Sequence, residues 1–115
     1  MRAVEKYIEA LKEVNPRKIA DCFTEDAVFN DSAMVPDGFG IVHLEGRENI
    51  FKGFSEMLAG GNSVTELLYH NNDVVHYTVT TGPMCSKCVG VGTEENGLLK
   101  SYFVVPLGDT SQIKG

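Results

Sequence analysis

The sequence predicts a single α+β domain over residues 1–115, with three helices in the first half and an antiparallel sheet formed largely by the second half. Apolar residues have helical spacing in residues 2–14, 16–23 and 46–58, and after residue 63 their period changes to two, as in strands. An antiparallel sheet with one apolar face needs a cover, which the helices supply. The length of 115 residues is usual for one domain.

Two short helices open the chain. In residues 2–14 the apolar side chains have the i, i+3, i+4, i+7 spacing of one helix face. They are Val4, Tyr7, Ile8, Leu11 and Val14. Asn15 and Pro16 then end this helix and start the next, because Asn caps a helix and Pro suits its first position. The second helix is predicted to run to about Phe23.

A strand, a loop and a third helix follow. The segment "AVFND" ends at Asp31 and predicts a short strand, and a Gly/Pro-rich segment leads to a second short strand over residues 41–44. The pattern of Ile50, Phe51 and Phe54 predicts a helix over residues 46–58, which ends at a pair of glycines.

The remaining chain predicts two hairpins. The runs "SVTELLYH" and "VVHYTVTT" flank the turn residues 71–73, and "CVGV" and "LLKSYFVV" flank the turn "TEENG". His70 and His76 flank the first turn, where surface positions are expected. Tyr69 and Tyr77 alternate with them and are expected on the opposite face of the sheet.

Composition argues against several classes of partner. The net charge of -6 and the lack of basic runs argue against nucleic acid, because phosphate backbones bind Lys and Arg clusters. No apolar run reaches the roughly 20 residues that span a bilayer, and the charged N-terminus does not resemble a secretion signal. We therefore expect a cytoplasmic protein.

The three cysteines are interpreted as thiols of a reduced compartment, because their number is odd. Cys22 is expected to be a small buried hydrophobe. Cys85 and Cys88 have Cys-x-x-Cys spacing, which leaves zinc binding, redox function and incidental thiols open. The incidental interpretation is favoured, since residues i and i+3 of a strand point to opposite faces. No metal or cofactor is predicted.

The register "YIEALKEVNPRKIADCFTEDAVFND", the helix start "EGRENIFKGF" and the strand-only second half resemble the SnoaL-like group of the nuclear transport factor 2-like (NTF2-like) superfamily, which includes ketosteroid isomerases. The resemblance covers nearly the whole chain. It implies a cone-shaped, cystatin-like α+β roll, in which a strongly curved antiparallel sheet and the helices enclose an apolar pocket. It also implies a homodimer that pairs sheet to sheet.

The resemblance further implies site residues. Tyr7 falls at the position of a tyrosine that donates a hydrogen bond to the substrate oxygen, and Asp31 at that of an aspartate that shuttles the proton. Apolar walls would raise the pKa of such a carboxylate and suit it to accept a proton from carbon. The alternatives are a core tyrosine whose hydroxyl has a backbone partner and an aspartate that caps a turn.

The sequence departs from the isomerases in a late strand. Ser101, with Lys100 as the one-residue alternative, stands where they carry a protonated acid, and serine is a poorer oxyanion donor. Steroid isomerisation is therefore not expected. His43, Ser101, Phe54 and Phe103 are further pocket-lining candidates. Relatives have a last strand that runs further, so this strand is expected to be clipped and the pocket more open.

The predicted function is the binding of a small, mostly apolar organic molecule in the cone. If the protein is an enzyme, the chemistry would be cofactor-independent acid–base work of the isomerase, cyclase, dehydratase or hydrolase type, with Asp31 as base and Tyr7 as oxyanion donor. The alternative is a non-catalytic binding or dimerisation module whose phenylalanines fill the core.

Overall fold

In the computed structural model, which describes residues 1–71, 73–82 and 84–107, three helices pack on one six-stranded sheet. The helices are α1 (Ala3–Lys12), α2 (Pro16–Ala20) and α3 (Arg47–Met57). The strands are β1 (Phe23–Asp31), β2 (Val42–Glu45), β3 (Ser63–Tyr69), β4 (Val74–Thr81), β5 (Met84–Glu95) and β6 (Leu98–Pro106). A short 3₁₀ helix, Val35–Asp37, lies between β1 and β2. The predicted α+β class is confirmed.

The strands lie in the order β2-β1-β6-β5-β4-β3, and the sheet is not closed. Neighbouring strands are antiparallel except β1 and β6, which run parallel, with Phe29 opposite Tyr102. This pair departs from the predicted antiparallel pairing, because local periodicity carries no information about which distant strand becomes a neighbour.

Bulges interrupt three of the strand pairs. The register shifts between Phe23 and Val28 in β1, between Thr65 and Leu68 in β3, and between Leu99 and Ser101 in β6, opposite Thr93 and Glu94. A bulge bends its strand and increases the local twist, so these positions let the sheet curve around the helices.

The second helix ends earlier than predicted. The side chain of Asn15 caps α2 by accepting a hydrogen bond from the Lys18 N–H, but the helix stops at Ala20. Phe23 already belongs to β1, where it pairs with Leu99 of β6. Its side chain is fully buried, and a buried apolar residue fits a strand as well as a helix. The apolar character of Phe23 therefore did not indicate which of the two it belongs to.

The core lies between the helices and the inner face of the sheet, and it is rich in aromatic rings. Phe29 contacts Phe54 with ring centroids 4.9 Å apart, and Tyr7 contacts Phe23 at 5.8 Å. Within the described residues, no helix has the length and apolar character needed to cross a bilayer. The expected clipping of the last strand concerns residues 108–115, which lie outside the described residues.

Candidate functional site

A cavity of about 310 Å³ lies between the inner face of the sheet, helices α1 and α3, and the segment that precedes β2. Its wall is mostly apolar, with a few polar groups. The lining residues that matter below are Tyr7, Asp31, Phe54, Asn62, Tyr77 and Thr81. Ligand pockets commonly combine such apolar walls with a small number of polar groups.

Tyr7 lies on the buried face of α1 and is only 2% exposed. Its ring centroid is 4.4 Å from that of Tyr102, and within the described residues its hydroxyl makes no hydrogen bond. Burial raises the pKa of Tyr7 well above its ordinary value, and the charges of Tyr102 and Asp31 add to the shift. The Tyr7 hydroxyl is therefore protonated at pH 7 and can donate a hydrogen bond. Tyr7 and Asp31 both line the cavity.

Asp31 is the last residue of β1 and lines the cavity from the end of that strand, between β2 and β6. One oxygen, Oδ1, accepts a hydrogen bond from the Ala33 N–H at 2.8 Å, so the turn interpretation also applies to this residue. Burial raises the pKa of Asp31, and the bond from Ala33 offsets part of that rise. The second carboxylate oxygen makes no hydrogen bond to any described residue.

Asp31→Asn is expected to be more stable than the wild type at pH 7. Because the pKa of Asp31 is raised in the fold, the folded protein holds more protons than the unfolded chain between the two pKa values, and the free energy of unfolding falls as pH rises through that window. Asparagine does not titrate, and its Oδ1 can still accept the Ala33 N–H.

Urea denaturation across a pH series measures this difference, which should disappear below the unfolded-state pKa of about 3.9. Asp26→Asn, an exposed position on the same strand, is the control and should lack this pattern. A stability difference for Asp31→Asn that persists unchanged at pH 3 would contradict the assignment.

Two further tyrosines, which the sequence did not mark as site residues, meet beside the cavity. The hydroxyls of Tyr77 on β4 and Tyr102 on β6 are 3.0 Å apart. Tyr77 lines the cavity and Tyr102 lies behind it, fully buried. The side chain of Tyr102 crosses β5 over Gly90, where any Cβ would overlap its hydroxyl and Cζ. The alternating glycines of "VGVG" are the sequence signal that could have revealed this crossing.

The other polar groups of the wall bond to one another. The Thr81 hydroxyl donates to Asn62 Oδ1 at 2.7 Å, and Asn62 Nδ2 donates to the Leu11 carbonyl at 3.4 Å. Asp31, Tyr7 and Tyr77 take no part in these bonds, and each has hydrogen-bonding capacity for a bound molecule.

Of the predicted lining residues, Phe54 lies in the cavity wall, and His43, Ser101 and Phe103 do not. Expecting these three there was wrong, because successive strand residues alternate between faces. Val42 takes the inner position of β2 next to His43, and Tyr102 and Val104 take the inner positions of β6. His43 is exposed on β2, where its ring nitrogens lie 3.2 Å from Asn30 Oδ1 and 3.1 Å from Glu45 Oε1.

The cysteines and the other two histidines do not line the cavity. Cys88 is buried and Cys85 exposed, as expected for opposite faces of a strand, and burial raises the pKa of Cys88 to about 12. The rings of His70 and His76 are in contact, with centroids 4.0 Å apart. In the part of the chain that the structure describes, no three His, Cys, Asp or Glu side chains form a group that could hold a metal.

The sequence model of the SnoaL-like domain matches residues 4–97. The chain belongs to the SnoaL-like family. The match covers α1 through the turn between β5 and β6, which includes Tyr7, Asp31 and Tyr77 but not Tyr102. No curated protein matches this SnoaL-like domain.

Solved structures share the fold of this SnoaL-like domain at low identity. An NTF2-like protein of unknown function from Cytophaga hutchinsonii is 21% identical, with a TM-score of 0.69 over 95% of this chain and 88% of that one. A phenazine biosynthesis-related protein from Pseudomonas aeruginosa is 12% identical, with a TM-score of 0.71 over 90% and 72%. A ketosteroid isomerase-like fold from Catenulispora acidiphila, in complex with trimethylamine, is 17% identical, with a TM-score of 0.64 over 89% and 82%.

Proposed function

We propose that this SnoaL-like domain binds a compact, mostly apolar organic molecule in its cavity and carries out cofactor-independent acid–base chemistry on it. The observation that carries the proposal is the Asp31 carboxylate, which has a raised pKa and an oxygen without a hydrogen bond to the described residues, in the same largely apolar cavity wall as Tyr7. A cavity of about 310 Å³ has room for roughly ten water-sized groups, which suits a one- or two-ring compound.

The division of roles follows from the chemistry of the two side chains. A carboxylate with a raised pKa is a stronger base than an ordinary one and can remove a proton from carbon next to a carbonyl. A neutral phenol placed at the carbonyl oxygen stabilises the negative charge that then develops there. We assign Asp31 as the base and Tyr7 as the donor, which requires no cofactor.

Binding is tested by thermal denaturation with a set of compact cyclic ketones. A ligand of the folded state should raise the melting temperature in a saturable manner. Val79→Phe, which places a ring in the cavity wall, should abolish the rise, whereas Thr93→Phe on the exposed part of β5 should not. A rise that Val79→Phe leaves unchanged would place the ligand elsewhere.

Chemistry is tested by deuterium incorporation next to the carbonyl of a bound ketone in D₂O, followed by NMR. Asp31→Asn is expected to slow protein-catalysed exchange by about 10²–10⁴-fold, the usual contribution of a general base. Asp26→Asn, an exposed aspartate of the same strand, is the control. If the wild type and Asp31→Asn exchange deuterium at equal rates, Asp31 is not the base.

The rival function is a non-catalytic binding module. The cavity argues against the version in which phenylalanines fill the core, because Phe54 lines an open space and Phe103 lies on the outer face of the sheet. Binding of ketones without any proton exchange in the wild type would favour a binding module over an enzyme.

We also propose that two copies associate through the outer face of the sheet, in a cytoplasmic setting. Apolar side chains are exposed on that face where a soluble monomer usually carries polar ones. They are Leu68, Val91, Phe103 and Val105. Sedimentation equilibrium measures the association. We expect a dimer, and we expect Phe103→Asp to weaken it because a charge would then lie in the apolar contact.

A further inference from the structure

The hydroxyls of Tyr77 and Tyr102 form a hydrogen bond in which either oxygen could be the donor. Each phenol has one O–H donor, so one proton lies between the two oxygens and the other must find an acceptor elsewhere. The direction of the bond therefore decides which tyrosine has a proton to offer to a third group.

Both tyrosines are buried, Tyr77 at 4% exposed, and their positions relative to the cavity distinguish the two directions. Tyr102 is 0% exposed, and within the described residues its hydroxyl forms no hydrogen bond other than the one with the Tyr77 hydroxyl. If Tyr77 donated, the Tyr102 proton would be buried without an acceptor, which carries the full desolvation cost of that group. If Tyr102 donates, the remaining proton belongs to Tyr77, which lines the cavity and can use water or a ligand.

We propose that Tyr102 donates to Tyr77, and that the Tyr77 hydroxyl is thereby aimed into the cavity as a hydrogen-bond donor for an acceptor oxygen of the bound molecule. This inference rests on the proposed function and narrows the ligand to an apolar compound with a carbonyl or similar oxygen. Tyr77 is the contact residue, and Tyr102 is a positioning residue that acts through it.

The packing of Tyr102 makes this orientation rigid. The absence of a side chain at Gly90 lets its hydroxyl reach β4, and its ring is held against Tyr7 with centroids 4.4 Å apart. Tyr77 and Tyr102 lie on β4 and β6, the two strands that flank β5 in one sheet, so the donor is positioned before a ligand arrives. A preorganised donor loses less free energy to ordering on binding than a mobile one.

The direction of the bond can be tested without a ligand. NMR of protein labelled with ¹³Cζ-tyrosine in mixed H₂O and D₂O separates slowly exchanging hydroxyls, which show resolved isotope-shifted signals, from rapidly exchanging ones. We expect a slow Tyr102 hydroxyl and a Tyr77 hydroxyl that exchanges at least about tenfold faster, since only the latter faces the cavity. A slow Tyr77 with a fast Tyr102 would overturn the proposal.

The ligand contact is tested with 1-tetralone and tetralin, which share a ring skeleton but differ in the carbonyl. Tyr77→Phe should weaken 1-tetralone binding about fivefold to tenfold, as expected for one neutral hydrogen bond, and change tetralin binding less than about twofold. The carbonyl stretch of bound 1-tetralone should move to higher frequency in Tyr77→Phe. Tyr69→Phe, outside the cavity wall, is the control and should change neither.

These experiments can contradict the Tyr77 contact without contradicting the proposed function. A Tyr77→Phe variant with wild-type affinity and carbonyl frequency, together with a Tyr7→Phe variant that loses both, would make Tyr7 the sole donor and overturn the inference while leaving the function intact. If neither 1-tetralone, tetralin nor any ketone of the wider set binds, the proposed ligand-binding function is overturned, and the Tyr77 contact with it. Tyr102→Phe should broaden the carbonyl band, because Tyr77 then loses its orienting partner.

Discussion

Phe29→Ala is expected to lower the free energy of unfolding by about 3–5 kcal/mol, the usual cost of removing a buried phenylalanine. Phe29 is 1% exposed at the inner face of β1. Its ring contacts Phe54 at 4.9 Å and Tyr102 at 6.2 Å between centroids. The loss combines the transfer of the ring to water with the void left between β1 and α3, which rigid strands cannot fill by moving.

Urea denaturation monitored by circular dichroism measures this loss, and Phe103→Ala is the matched control. Phe103 has the same side chain on the neighbouring strand β6 but is 44% exposed, so its truncation should cost less than about 1 kcal/mol in dilute monomer. Equal losses for the two variants would contradict the assignment of the inner and outer faces.

Gly90→Ala is expected to lower the free energy of unfolding by about 1–3 kcal/mol, the usual cost of overpacking a core. The added methyl group would occupy the space of the Tyr102 hydroxyl, and that ring is fully buried, so it has to shift within the core. We also expect the bond between the Tyr77 and Tyr102 hydroxyls to break, so the two tyrosine NMR signals should shift together.

Gly60→Ala is the control for this substitution, because a Cβ at Gly60 meets no atom within 4 Å and the backbone φ there is not positive. Its effect should stay within about 0.5 kcal/mol, as for most surface positions. A Gly90→Ala variant with wild-type stability and unchanged tyrosine signals would show that Tyr102 does not occupy the space above Gly90.

The sequence was most informative where structure depends on neighbouring residues. The helix period of residues 2–14 predicted α1, and Asn15 and Pro16 predicted the start of α2. The turn at Asn96 and Gly97 predicted the hairpin of β5 and β6. The family resemblance implied that Tyr7 and Asp31 face the same cavity, and both residues line it in the structure.

Inner and outer faces of strands were harder to predict, because they depend on register over long distances. Ser101 was expected in the pocket, but Tyr102 takes the inner position because the extra residue Lys100 in β6 shifts the pairing with β5. The bond between Tyr77 and Tyr102 joins residues 25 apart across an intervening strand, which no local pattern records. Their roles in binding and catalysis stay predictions.

The parallel pairing of β1 with β6 has a consequence for how the molecule assembles. Strand β1 and its partner β2 join the rest of the sheet only through β6, the last strand described. During synthesis the helices and the first strands therefore leave the ribosome before their central neighbour exists. Such long-range closure slows folding and leaves an unpaired strand edge exposed in the meantime, which makes β1 the segment where chaperone capture or aggregation would begin.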